Sequence, residues 1–217
     1  MAPAPLLLVV HGRAGGTIPA ELQELRHHLQ IRRGAPVLLQ ALTAGADSGP
    51  EPRAEAPGPD IDPAGAGPLT LVPLLLLPGS HVRHDIPAIA AAWRRRGPLR
   101  RLPFLGAWPA WQRALALEAA SLAATAPTPP LLLHHPLEGR VAQRYLQLLS
   151  RRTGLRCLAV PYGATATSPP VIPATPALPL TLASNRLCDA LGDSRALPLL
   201  GRPRCRAALL ALLEALP

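Results

Sequence analysis

The chain has 217 residues, with 22 basic side chains, all of them Arg, against 13 acidic ones, a formal net charge of +9. Hydrophobic residues make up 48%, enough for a core in one or two domains, which excludes wholesale disorder. Aromatics at 3% exclude a surface built on base stacking, and 29 Pro with 17 Gly exclude long uninterrupted helices.

Residues 6–10 are a continuous apolar run ending at His11 and Gly12, the pattern of a buried strand opening into a loop. Residues 18–33 place apolar side chains at 18, 22, 25 and 29 between charges, an amphipathic helix closed by Gly34. Residues 37–42 predict a second strand. Segment 45–67 is rich in Pro, Gly and Ala without periodicity, and is expected to be a mobile surface loop. It carries Asp47, Glu51, Glu55, Asp60 and Asp62 against Arg53, a net of −4 that leaves the rest of the chain at +13.

Residues 69–77 predict a third strand, followed by Pro78, Gly79, Ser80 and His81. Asp85 suits a helix cap and Pro87 a first helical turn, ahead of a helix to Arg96. A fourth strand is expected at 100–105, then a helix from Pro109 to about Ala124. Strands at 131–135, 155–160 and 178–182 then alternate with helices at 140–152, 185–191 and 207–216. Alternating β and α elements predict parallel sheets with crossover helices.

Two stretches look like copies: Leu105, Gly106 and Pro109, with Ala114 and Leu115, match Leu200, Gly201 and Pro203, with Ala208 and Leu209. An apolar run also precedes both His11 and His134-His135. The expectation is an α/β protein of two lobes related by internal duplication, 1–125 and 126–217, each a small parallel sheet flanked by helices. The duplication also suggests a monomer.

The three cysteines, Cys157, Cys188 and Cys205, are odd in number and lack CxxC spacing, which predicts a reducing cytoplasm and no Cys-type zinc site. The N-terminus has no basic region ahead of its short apolar run, unlike a signal peptide. The uncharged stretch 157–185 is long enough to span a bilayer but holds six prolines, so no membrane segment is expected.

His11 and His81 are the sharpest pair for chemistry. Each follows a predicted buried strand, at the end where open parallel α/β folds bind ligands. Two imidazoles there can bind one divalent transition metal and leave positions open for a substrate, with Gly12 and Gly79 permitting close backbone approach. The plainer alternative is that both are ordinary loop residues. His84 suits a partner to the site or a solvated cap, and His27 and His28 suit a surface. His134 and His135 occupy the corresponding strand end of the second lobe, where no His matches His81. Nucleotide binding lacks a GxGxxG or Walker sequence, and a serine hydrolase lacks a GxSxG elbow. The Arg94–96 and Arg100–Arg101 cluster suits an anion or a solvated face, and a nucleic-acid module would need one continuous basic face.

Val9, Val10, His11, Gly12 and Arg13, followed by an amphipathic helix, resemble the opening strand and His-Gly motif of the CbiX-type sirohydrochlorin chelatases. Residues 72–87, through Gly79, His81, Val82, Asp85, Ile86 and Pro87, resemble that family's strand, glycine and His-Val-x-x-Asp-Ile-Pro sequence more closely. Leu105-Gly106 resembles the Leu-Gly after its fourth strand, and the likeness covers about residues 5–124, with the second half a decayed copy. The resemblance implies ATP-independent insertion of Co2+ or Fe2+ into sirohydrochlorin, towards cobalamin or siroheme, in the cytoplasm and without a nucleotide. It implies that His11 and His81 hold the metal and accept pyrrole protons, with Gly12, Arg13, Gly79, Ser80, His84 and Asp85 as candidate substrate contacts. A cleft between two lobes suits a large flat pigment.

This chain departs from the pattern in three places. Val10 stands where a Gly is usual, Arg13-Ala14 where Ser-Arg is usual, and no acid ends the second strand. Gln40 or Thr43 substitutes there, or Asp85 serves, or activity is reduced or lost. A non-catalytic carrier or regulator of a tetrapyrrole or metal is the first alternative, and an Arg-rich polyanion-binding module the second. The positive charge suits a polycarboxylated pigment, since guanidinium pairs with carboxylates in a bidentate fork.

Overall fold

In the computed structural model, residues 3–13, 16–42, 68–161, 175–192 and 197–217 are described. The opening apolar run forms β1 (Leu6–His11), whose residues from Leu6 to Val10 are at most 1% exposed. Helix α1 (Ala20–Arg33) leads to β2 (Val37–Leu42), and β3 (Leu69–Pro73) follows beyond the undescribed residues 43–67, which contain the expected loop. Two short helices, α2 (Ser80–Arg83) and α3 (Asp85–Arg94), precede β4 (Leu99–Arg101). The four strands are all parallel, in the order β2-β1-β3-β4.

β1 lies between two neighbours and is covered on both faces, which is why it is apolar without alternation. Leu7 and Val9 join Leu71, Leu75, Ile86, Ile89 and Ala90 in one core cluster, while Leu6, Leu8 and Val10 point to the opposite face. Helix α1 buries Leu22, Leu25 and Leu29 at helical spacing and ends at Gly34, whose φ of 61° is the left-handed turn that glycine adopts freely.

The second sheet uses β5 (Leu131–His134), β6 (Arg156–Ala159) and β7 (Ala177–Pro179), parallel and ordered β6-β5-β7. Its helices are α4 (Pro109–Thr125), α5 (Arg140–Thr153) and α6 (Arg186–Leu191), with α7 (Pro203–Glu214) last in the chain. Asn185 caps α6 by accepting from the Leu187 and Cys188 amides at 3.0 and 3.3 Å.

Two compact units result: Met1–Gly106 with Leu210–Pro217, and Ala107–Leu209. The expected boundary at 125/126 thus falls inside the second unit, and α4 groups with the sheet that follows it. The tail returns to the first unit because Arg33 holds it there. This guanidinium, 7% exposed, donates to the carbonyls of Leu213, Glu214, Leu216 and Pro217 and, on its other side, Ala4. Beside it Arg32 pairs with Glu214 at 2.8 Å.

The two units repeat one hydrogen-bonding scheme. Val9 sits opposite Pro73 and accepts from the Leu74 amide at 2.8 Å; Leu133 sits opposite Pro179 and accepts from the Leu180 amide at 2.7 Å. Helices α4 and α7 both begin at Pro and bury the same spacing, Trp111, Leu115 and Ala119 in one and Cys205, Leu209 and Leu213 in the other.

Candidate metal centre

β1 stays buried until its last residue, where His11 emerges exposed at the carboxyl end of the strand. On the neighbouring strand the chain leaves the ladder at Pro73, which cannot donate to it. Leu74 to Leu77 remain buried, held by the Leu74 amide on Val9 and by the Gly106 amide on the Leu75 carbonyl at 3.0 Å. The chain then turns at Gly79 into α2, and this sets His81 against His11. The two imidazole rings meet edge to face, with centroids 4.6 Å apart and planes at 79°.

His81 has a second partner. Its Nδ1 contacts the Asp85 carboxylate one helical turn further on. Asp85 is therefore not the helix cap the sequence suggested: it lies inside the first turn of α3, the cap position belongs to His84, and the carboxylate is turned to the imidazole. The side chains of His81 and Asp85 are 29% and 48% exposed, so solvent and a substrate can reach both.

Around the pair, Gly12 is confined: a Cβ there would lie 3.0 Å from that of Ala41 and 3.4 Å from the Gly16 backbone. Any side chain would push β2 or this loop away from His11. The loop is tied by the Arg13 amide to Thr17 and the Gly16 amide to Arg13. Arg13, Ser80 and His84 are exposed, Gly79 half-buried, and His27 and His28 lie on the outside of α1 as expected.

Gln40 does not serve the site. It is 3% exposed, and its side-chain oxygen accepts from Trp93 Nε1 at 2.9 Å. Thr43 lies outside the described residues. Leu42, opposite His11 in the ladder, is a core residue. Among the described residues no group of three or more His, Cys, Asp and Glu side chains is placed to hold a metal ion.

The second unit lacks that pair. Counting from the matched strand bonds places His135 where His11 stands and Leu187 where His81 stands, with Leu187 2% exposed in its core cluster. His134 is buried, and its Nδ1–H donates to the His135 carbonyl at 2.7 Å. No histidine was expected at the place of His81, and counting on from the strand register puts Leu187 there.

Two small parallel sheets flanked by helices, with histidines at a strand end, define an α/β protein of chelatase-like architecture. The CbiX family model matches residues 5–121, more than half of the chain, and the chain belongs to the CbiX family. Among solved structures it is similar to the sirohydrochlorin chelatase SirB from Bacillus subtilis subspecies spizizenii, determined in complex with cobalt. That likeness has a TM-score of 0.56 and 17% identity over 98% of this chain and 94% of the other. It is also similar to DR2241 from Deinococcus radiodurans, a multi-domain protein with structural similarity to chelatases and two additional novel domains, with a TM-score of 0.54 and 18% identity. The match covers 99% of this chain but 55% of that one, so this chain spans about half its length. No curated protein sequence gives a significant match. Among the described residues no helix is long and apolar enough to cross a membrane.

Proposed function

We propose that this protein inserts a divalent metal, Co2+ or Fe2+, into sirohydrochlorin without ATP, for cobalamin or siroheme synthesis. The observation that carries the reading is the edge-to-face contact of His11 and His81 at the carboxyl end of the first sheet. In this reading the metal is a substrate. It is held by two imidazoles, and two protein ligands leave coordination positions for the pyrrole nitrogens. Metal insertion into a free-base macrocycle releases two N–H protons, and a neutral imidazole can take up a proton once it lets go of the metal. No external energy source is required, since four metal–nitrogen bonds replace two N–H bonds and the metal's earlier ligands.

The neighbouring groups suit a flat polycarboxylate. Gly12 brings no side chain beside His11, and Arg13 and Arg83, each two residues from a site histidine, are exposed cations. A second reading, a non-catalytic carrier of metal or pigment, is favoured by the engagement of Gln40 with Trp93 rather than with the histidine pair.

Purified protein, sirohydrochlorin and Co2+ or Fe2+, followed by visible absorbance, separate the two readings. The chelatase reading expects metal-dependent turnover that falls by about 100-fold or more in both His11→Ala and His81→Ala. Turnover untouched by either substitution removes this site from the reaction. Tight pigment binding without turnover in the wild type supports the carrier.

A further inference from the structure

We propose that Asp85 is a positioning residue for the metal centre: its carboxylate fixes the ring and tautomer of His81, so that Nε2 is the nitrogen offered to the metal. An ionised carboxylate only accepts hydrogen bonds, so the Nδ1 that contacts Asp85 must carry the ring proton when His81 is neutral. The lone pair is then confined to Nε2. A free histidine chain rotates and exchanges between two tautomers, and a ligand that must first be selected binds more weakly.

The fold keeps this contact in place. Helices α2 and α3 meet at His84, and backbone bonds run across the joint, from the His84 amide to Ser80 at 2.8 Å and from the Ala88 amide to His84 at 3.2 Å. One helical turn therefore separates His81 from Asp85 on a single face. Ile86 and Ile89, buried at 3% and 4%, anchor the first turns of α3 on the sheet. The His81 ring also rests against that of His11. With Gln40 committed to Trp93 and Leu42 in the core, Asp85 is the carboxylate that the described structure brings to the pair. A carboxylate behind a metal-binding imidazole orients that ligand and commonly contributes about 10–100-fold in affinity.

The proposal rests on the chelatase reading only in taking the metal at His11 and His81 as its purpose, and both tests use metal-free protein and Co2+ alone. Long-range nitrogen–proton NMR at mildly alkaline pH is expected to find wild-type His81 as the Nδ1–H tautomer. Asp85→Ala is expected to shift it to the Nε2–H form that unconstrained histidines prefer, and Asp85→Glu to restore Nδ1–H in part. A Co2+ titration read by visible absorption is expected to show about 10–100-fold weaker binding in Asp85→Ala, with partial rescue by Asp85→Glu. If Asp85→Ala fails to fold, Asp85→Ser takes its place, its hydroxyl too short to reach the ring. An Nε2–H tautomer in the wild type, or a tautomer and Co2+ affinity unchanged by loss of the carboxylate, overturns the proposal. Asp85-dependent Co2+ binding in a protein that never metallates sirohydrochlorin upholds it and removes the chelatase reading instead.

Discussion

His134 and Cys205 illustrate how burial sets side-chain chemistry in the second unit. His134 is 4% exposed, and desolvation lowers its pKa from the ordinary imidazole value, partly offset by its bond to the His135 carbonyl. The unfolded chain then takes up a proton at a higher pH than the folded one. The stabilising contribution is whole above the unfolded value and is lost as pH falls through the folded one. Denaturant unfolding at stepped pH should therefore show stability declining on the acid side of neutrality, with a shallower decline in His134→Gln. Burial, with a smaller contribution from Glu118, pushes the Cys205 thiol up to about 12. In native protein it should resist alkylation at neutral pH, and react once denaturant is added, as mass mapping of the labelled cysteines will reveal.

Elements that bury one continuous surface were legible in the sequence, and those cut short by Pro were not. Residues 6–10 announced β1 because a strand covered on both faces needs no polar alternation. The third strand was expected to reach Leu77 and ends at Pro73; the seventh was expected over 178–182 and ends at Pro179. In both, an apolar run continues into the core after its ladder has stopped, and composition cannot separate burial from pairing. β4 forms at Leu99–Arg101 rather than 100–105, with Pro103 unable to extend it. Of the candidate site, the His11 and His81 pair was readable because both follow apolar strand runs. Asp85 was read as a cap because a carboxylate before a helix usually is one, although its spacing of four from His81 was equally visible. The engagement of Gln40 by Trp93 joins residues 53 positions apart and left no local sign. At this scale Leu8→Ala, which removes a fully buried side chain from β1, is expected to cost about 2–5 kcal/mol in chemical denaturation. Asn185→Ala, losing the α6 cap, is expected to cost about 1 kcal/mol.

Across the whole chain, the partition into units follows where buried polar groups find partners. Arg33 supplies donors to five backbone carbonyls, four of them at the end of the chain. Two of these, Leu213 and Glu214, are the last carbonyls of α7, which have no partners within the helix. Arg33→Met, which keeps the apolar length of the side chain, should deprive those carbonyls of its donors, leaving Leu213 the Leu216 amide alone. We expect faster hydrogen exchange over 210–217 and a stability loss of about 1–3 kcal/mol, while the strands of the second sheet keep their protection.

That clasp also fixes an order of events during synthesis. A ribosome releases the strands of the first sheet early, yet four of the acceptors for Arg33 lie 180 to 184 positions further along the chain. Until they emerge, the first unit holds a cation it cannot bury, and the wall of its fold is missing a piece. The unit that bears His11 and His81 is thus completed only after the whole of the second unit has been made. A break in the chain between residues 209 and 213 would therefore be felt at Arg33, in the unit that holds β1 to β4.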